Sequence, residues 1–244
     1  MKLWVGTSGY SYKPWLGNFY PERLAAKEML RYYAARLPAV EINNTFYRLP
    51  KESVLRAWAE QVPDDFRFVL KAPQRITHIK RLKDAEPEVE YLFRVAPVLG
   101  SSAGAILFQL PPHLRKDTER LKEFLSLLPA DRSVAFEFRH PSWFDDDVFA
   151  SLREHNRALC SAEMDETEIS ALIATANWGY IRLRRSEYSR ADLVHWRERI
   201  LSQPWDHAYI FFKHEDEGIG PKLAAEFLEL ARATGAYPLP LAHQ

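Results

Sequence analysis

The sequence predicts a single (β/α)₈ barrel, the TIM-barrel fold, extending over residues 1–244. Strand-like apolar runs alternate with segments of helical periodicity about eight times, and strands that alternate with helices pair in parallel. About eight such units in roughly 250 residues match the size of this barrel. A doubly wound open sheet is the alternative, but residues 6–9 lack the third glycine that opens a helix in the dinucleotide-binding fingerprint. No linker, repeat or low-complexity stretch divides the chain.

Eight strands are predicted from short apolar runs. The stretch FEFR shows the alternation of a strand: Phe136 and Phe138 face one side of the pleat, whereas Glu137 and Arg139 face the other. In chain order, the predicted strands cover residues 3–8, 39–45, 67–72, 105–110, 134–139, 158–163, 180–184 and 209–213.

Seven helices are predicted between the strands, because apolar residues recur three and four positions apart on one face of each segment. Asp117 is predicted to cap the fourth helix, and Ser189 with Asp192 forms a capping-box-like start to the sixth. The crossover at 167–174, after the sixth strand, is predicted to be short. In chain order, the predicted helices cover residues 27–37, 51–61, 87–99, 117–128, 146–155, 189–201 and 222–233.

Composition excludes several classes of protein. The chain is 47% hydrophobic, which argues against a disordered or fibrous protein, and its 33 basic and 33 acidic side chains balance. A neutral chain has no overall attraction to nucleic acid or to a membrane surface. The single Cys160 cannot form an internal disulfide. With no apolar signal segment and no run of about 20 apolar residues, we expect a soluble cytoplasmic protein without a membrane partner.

Polar side chains stand where the predicted strands end, and the active site of a TIM barrel lies at the carboxyl ends of its strands. Alternation places several of them inside the barrel: Lys71 is in phase with Val69, and Arg182 opposes Ile181. The candidates at these strand ends are Thr7, Ser8, Glu41, Asn43, Asn44, Lys71, Gln109, Glu137, Arg139, Glu163, Asp165, Arg182, Arg184, Lys213, His214 and Glu215.

Basic residues outnumber acidic ones near the predicted axis of the barrel. Each buried charge costs several kcal/mol unless it is paired, so the surplus predicts an anionic ligand such as a phosphate or a carboxylate. We expect Glu137, Lys71 and Glu41 to act in acid–base chemistry, and Arg139, Arg182, Arg184, Gln109, Asn43 and Lys213 to hold the substrate. The alternative for Glu137 and Arg139 is a structural ion pair inside the barrel.

Aromatic residues follow the first, second and fifth predicted strands. Rings at the mouth of a barrel can stack on a sugar or a base, which makes Tyr10, Tyr47 and Trp143 candidate substrate-binding residues. The alternative is that these rings pack the loops against the barrel rim. The full set is Tyr10, Tyr12, Trp15, Phe19, Tyr20, Phe46, Tyr47 and Trp143.

The sequence leaves the cofactor unknown and gives only weak support for a divalent metal. Glu41, Glu137, Glu163 and His214 offer oxygen and nitrogen ligands for a divalent metal, but no paired-histidine motif is present. A nucleotide-cofactor motif and the nucleophile elbow of serine hydrolases are also absent from the sequence.

Five motifs, GTSGYSYKPW, VEINNTFYRLP, FVLKAPQRITH, LFQLPP and FEFRHPSW, resemble the YecE-like family, a domain of unknown function numbered 72. The resemblance runs in order through nearly the whole chain. It implies a TIM barrel similar to the sugar-isomerase and apurinic-endonuclease group, but it implies no reaction. The motif residues it carries over are Glu41, Asn43, Phe46, Tyr47, Lys71, Gln109, Glu137, Arg139, His140 and Trp143. His140 thereby joins the candidate substrate-binding residues.

The chain departs from the family pattern after the seventh and eighth strands, where it has RLRRSEY and FFKHEDEG in place of a histidine–glycine and asparagines. These changes make the mouth more basic. Three functions remain open: an enzyme acting on a small anionic metabolite such as a phosphorylated or acidic sugar, a nucleic-acid binding or processing protein, and a non-catalytic binding module. The neutral net charge argues against the second.

Overall fold

The computed structural model describes residues 1–163, 172–213, 217–233, 235 and 237–238. Eight parallel strands form a closed barrel, because each pairs with the next in sequence and the first pairs with both the second and the eighth. This confirms the predicted (β/α)₈ barrel. The strands are β1 Lys2–Ser8, β2 Ala39–Ile42, β3 Arg67–Lys71, β4 Ala103–Gln109, β5 Val134–Glu137, β6 Ala158–Glu163, β7 Trp178–Leu183 and β8 His207–Phe212.

Two strands end two or three residues earlier than the sequence predicts. After β2, the chain turns at once into a 3₁₀ helix at Asn44–Phe46, so Asn43 lies outside the strand. After β5, residues 138 and 139 lead into a 3₁₀ helix at Pro141–Trp143, which begins at proline because its fixed φ suits a first helical position. An unpredicted short strand, β9 Tyr237–Pro238, pairs with β1 at Lys2 and Leu3.

Within the residues that the structure describes, seven α-helices cover the barrel, each close to its predicted position. The Asp117 cap and the Ser189–Asp192 capping box are both present. The third helix is shorter than predicted, since Pro97 lacks a backbone N–H and Gly100 has a φ of 60°, which no helix accommodates. The helices are α1 Met29–Ala34, α2 Glu52–Ala59, α3 Glu86–Val95, α4 Thr118–Ser126, α5 Asp146–Glu154, α6 Arg190–Leu201 and α7 Ile219–Arg232.

Part of the predicted crossover at 167–174 lies outside the described residues, and residues 172–174 form neither helix nor strand. The sequence did not predict the π-helical turn at Arg75–Ile79, which follows β3. Within the described ranges, no helix has the length and apolar character needed to cross a bilayer.

Alternate residues of the strands fill two separate cores. Phe68, Leu70 and Phe136 belong to the layer between the barrel and the helices, whereas Val69 and Ala135 face the interior. The strand phase predicted from the sequence is therefore correct. The lower end of the interior, where the strands begin, is filled by aromatic rings. Trp4 stacks on Tyr209, and Trp178 stacks on His207.

Candidate functional site

Arg182 spans the interior of the barrel near the carboxyl ends of the strands. Its Nη2 donates to Glu41 Oε1 at 2.8 Å, and its Nη1 donates to Glu137 Oε2 at 2.5 Å. The three residues come from β7, β2 and β5, and all are buried. One guanidinium thus ties together two carboxylates from distant parts of the sequence.

Glu41 has two further hydrogen bonds. The Ser8 hydroxyl donates to Oε1 at 2.7 Å, and the Tyr180 hydroxyl donates to Oε2 at 2.6 Å. Burial by itself would raise the pKa of Glu41, but Arg182 and these two hydroxyls outweigh burial and lower the pKa. Glu41 is therefore an ionised and fully bonded carboxylate.

Glu137 lies among three arginines. In addition to Arg182, Arg139 Nη2 lies 2.6 Å and Arg184 Nη1 lies 3.6 Å from Glu137 Oε1. The Arg139 contact is a close ion pair without the alignment of a hydrogen bond, since Oε1 has no hydrogen-bond partner in the described part of the chain. Burial alone would raise the pKa of Glu137, but the arginines lower it to about 2. A carboxyl with this pKa stays ionised at neutral pH and has no proton to donate.

Lys71 extends from the end of β3 into the same region, but no carboxylate in the described part of the chain pairs with it. No described residue forms a hydrogen bond or ion pair with its ammonium group, whose Nζ lies 4.3 Å from the centroid of the Phe46 ring. Burial, together with the positive charge of Arg182, lowers the pKa of Lys71 to about 8. A pKa so close to neutrality suits a group that exchanges protons.

Two polar atoms beside the arginine–glutamate network are buried without a hydrogen-bond partner among the described residues: Gln109 Oε1 and Arg184 Nε. Gln109 ends β4 directly beside Glu137 in the sheet, and Arg184 follows β7. Burial and the nearby Arg182 lower the pKa of Arg184. Buried polar groups usually have partners, so these two atoms are available for hydrogen bonds to a polar ligand or to water.

Other predicted substrate-binding residues lie apart from this network. Asn43 and Tyr10 line a separate cavity of about 210 Å³ between the loops that follow β1 and β2. Tyr47 is 74% exposed on the rim, and Lys213 is exposed directly after β8. His140 Nδ1 accepts the backbone N–H of Ser142 and so caps the following 3₁₀ helix.

Trp143 lies in the packing layer instead of lining an open mouth. Its ring is 1% exposed and stacks on Phe138, with centroids 4.6 Å apart, and its Nε1 donates to Leu114 O. Trp15 and Tyr20, in the loop after β1, are also buried. For these three rings the structure favours the packing interpretation.

Glu163 does not face the barrel interior. It shares its strand phase with Leu159 in the outer layer, where it accepts hydrogen bonds from Tyr188 Oη at 2.6 Å and Trp196 Nε1 at 3.0 Å. It therefore cannot join Glu41 and Glu137 in the metal site considered from the sequence. Asp165, His214 and Glu215 lie outside the described residues, within which no cluster of three or more metal-ligating side chains occurs.

Sequence reasoning missed Tyr180, because it considered only the last residues of each strand. Tyr180 is in phase with Arg182, so the alternation of β7 already places both side chains in the interior. The contact of Lys71 with Phe46 was also missed, since Phe46 follows β2 in a turn that has no strand phase.

A family described as "Protein of unknown function DUF72" matches residues 4–243 of the chain. The UPF0759 protein YecE of Escherichia coli K12 is 35% identical over 174 residues, which cover 69% of this chain and 61% of that protein. The chain thus spans less than two thirds of the length of this relative. The UPF0759 protein YunF of Bacillus subtilis is 29% identical, with 93% and 94% of the two chains covered.

Two solved structures have the same fold. A DUF72 family protein from Thermotoga maritima superimposes with a TM-score of 0.83 at 25% identity, covering 95% of this chain and 100% of that one. A second, from Enterococcus faecalis, gives a TM-score of 0.77 at 19% identity, covering 99% and 98%.

Proposed function

Because the chain belongs to the DUF72 family, whose function is unknown, we propose an activity from the chemistry of its own barrel mouth. The proposal is an enzyme that binds the phosphate or carboxylate group of a small, sugar-like metabolite and transfers a proton with Lys71. The observation that carries it is the half-buried Lys71 ammonium, which no described carboxylate neutralises.

A bound anion would balance the excess of positive charge among the described side chains at the mouth. Among the described residues, four cationic side chains lie around two carboxylates, those of Glu41 and Glu137; the cations are Lys71, Arg139, Arg182 and Arg184. The pKa values of Lys71 and Arg184 are both lowered, so each group is held in a site that disfavours its charge. A bound phosphate or carboxylate would reverse this effect, and arginine forks match the geometry of both groups.

Lys71 is a better candidate for proton transfer than either glutamate. General acid–base catalysis works best when the pKa of the group lies near the working pH, which the value of about 8 for Lys71 satisfies. Glu137 and Glu41 instead hold Arg182 in place by direct hydrogen bonds. Their role in this proposal is to position positive charge for the substrate and its transition state.

Calorimetric titration with sulfate tests the proposal, because sulfate does not titrate near pH 8. We expect binding to raise the pKa of Lys71, so that roughly half a proton is taken up per anion at pH 8. Comparing buffers of different ionisation enthalpy measures this uptake. Lys71→Met should abolish the uptake, whereas Arg184→Met should weaken binding by roughly tenfold and leave some uptake. Lys122→Met, which changes an exposed lysine paired with Glu119, is the matched control.

Sulfate, phosphate and sugar phosphates that all fail to bind at millimolar concentration would refute the anion site. Uptake that persists in Lys71→Met would remove Lys71 from the proposal. The nucleic-acid alternative predicts tight binding of single-stranded DNA that weakens steeply with salt, and the same instrument can measure this.

A further inference from the structure

We propose that Phe46 is a positioning residue for Lys71. The face of the Phe46 ring holds the Lys71 ammonium group at the mouth, in the role that a carboxylate would otherwise have. Nζ of Lys71 lies 4.3 Å from the ring centroid, within the range of a cation–π interaction. The inference rests on the proposed function only in assuming that Lys71 transfers a proton. The contact itself does not depend on any substrate.

The backbone fixes Phe46 beside Lys71. The hydroxyl of the buried Thr45 lies 2.7 Å from the backbone oxygen of Lys71 and 2.9 Å from that of Ile42. It therefore ties the 3₁₀ helix Asn44–Phe46 to the ends of two neighbouring strands. The ring and the ammonium it contacts are held at the same edge of the barrel.

His78 supports the ring from another direction. Its imidazole meets Phe46 edge to face, with centroids 4.8 Å apart and an interplanar angle of 84°. His78 lies in the π-helical turn Arg75–Ile79, and such turns are frequent at functional sites. Burial, followed by the charges of Lys71 and His113, lowers the pKa of His78. The imidazole is thus neutral at pH 7 and adds no positive charge beside Lys71.

The charged groups that face Lys71 come from three other strands and act in both directions. Arg182 and Arg184 lower its pKa, whereas Glu137 and Glu41 raise it. The two glutamates favour the charged form of Lys71 without forming an ion pair with it. Among the described residues, the Phe46 ring is the group that favours the charged form by direct contact with the ammonium. Removing the quadrupole of the ring should therefore change the measured pKa of Lys71.

The experiment replaces Phe46 by leucine, by tyrosine and by a trifluorinated phenylalanine, and follows Lys71 by NMR with ¹³C-labelled lysine. Lys71→Arg removes the signal and so assigns it. We expect Phe46→Leu and the fluorinated ring to lower the pKa of Lys71 by roughly half to one unit. Phe46→Tyr retains the ring face and should leave the pKa within about 0.2 units of wild type. The fluorinated ring keeps the shape of phenylalanine, so it gives a result even if leucine disturbs folding.

An unchanged or higher pKa in both the leucine and the fluorinated variants would overturn the proposal, as would a tyrosine variant that behaves like leucine. Because these titrations contain no ligand, their failure is separate from failure of sulfate to bind. In a second series, sulfate affinity at pH 7 should fall by roughly threefold in Phe46→Leu and recover in Phe46→Tyr. Unchanged sulfate affinity in the leucine variant would count against a positioning role.

Discussion

The two ends of the barrel interior are built from different chemistry, and strand β7 shows the change along a single face. Trp178, Tyr180 and Arg182 all point inward and all are buried. At the lower end, Trp178 packs with His207 and Tyr209, so that rings fill the interior. At the mouth, the same strand contributes a guanidinium that needs two carboxylates to be stable.

This difference separates packing from chemistry. The lower end shows that this barrel can be closed by uncharged side chains, which bury apolar area without the desolvation cost of ions. A charged network at the mouth is therefore not required to fill the barrel. The free energy that the network costs in folding is consistent with a role in binding, because active sites often depart from the arrangement that is most stable.

Arg182→Met should have the largest effect on the free energy of unfolding, because it disrupts the ionic network at the mouth. Glu41 and Glu137 would stay buried without their shared partner, and removing one member of a buried ionic network costs about 3–5 kcal/mol. Urea unfolding at pH 7 measures the loss. Two controls accompany it. Arg190→Met, which removes an exposed pair with Glu226, should cost less than about 1 kcal/mol.

The second control neutralises the whole network. The triple change Glu41→Gln, Glu137→Gln and Arg182→Met should recover most of the lost stability, since replacing a buried ionic group as a unit is often neutral. A loss below about 1 kcal/mol in the single variant would show that the carboxylates find other partners and that Arg182 does not organise the mouth.

Trp178→Leu tests the lower end and should have an intermediate effect. The substitution leaves a cavity beneath His207 and Tyr209, and we expect it to lower the free energy of unfolding by about 2–3 kcal/mol. Sulfate affinity should not change, because the lower end contributes nothing to the proposed anion site. A change in affinity of more than about twofold would contradict the separation of the two ends.

Strand phase predicts which side chains face the interior at the mouth, but it does not predict which of them form ion pairs with one another. Alternation placed Lys71, Glu137 and Arg182 in the interior because the period of a strand is two residues. Which of them meet across the interior depends on the tilt and stagger of eight strands, which no local pattern contains. The contacts of Arg182 with Glu41 and Glu137 are therefore a result of closure.

For Glu163 and Trp143, the difference between the predicted and the observed position has a local cause. Glu163 ends its strand as the site residues do, but its phase is that of Leu159, so applying alternation to β6 would have placed it outside the barrel. Trp143 follows the most charged strand end, yet its ring packs flat on Phe138. Loop rings have no periodicity, and the sequence alone cannot show which of them are covered.

Lys71→Met should have the smallest effect and links stability to the proposed function. The folded pKa of about 8 lies below the ordinary value of 10.5, so between these pH values the unfolded chain holds a proton that the folded chain has released. The destabilisation caused by Lys71 consequently decreases as the pH rises through this window, while below pH 8 the cost of the charged lysine is fully present. Because Lys71 is only partly buried, we expect Lys71→Met to gain only about 1 kcal/mol at pH 7.

The dependence on pH identifies the cause of this gain. The hydrophobic contribution of methionine is the same at every pH, and the tyrosines with raised pKa values titrate identically in both proteins. The difference between the unfolding free energies of variant and wild type should therefore shrink as the pH rises from 8 toward 10.5. Urea unfolding at several pH values measures it, and a constant difference would mean that Lys71 does not titrate in this range. Together with the loss of proton uptake on sulfate binding in the same variant, a shrinking difference would show that this lysine is kept for the ligand at a cost in stability.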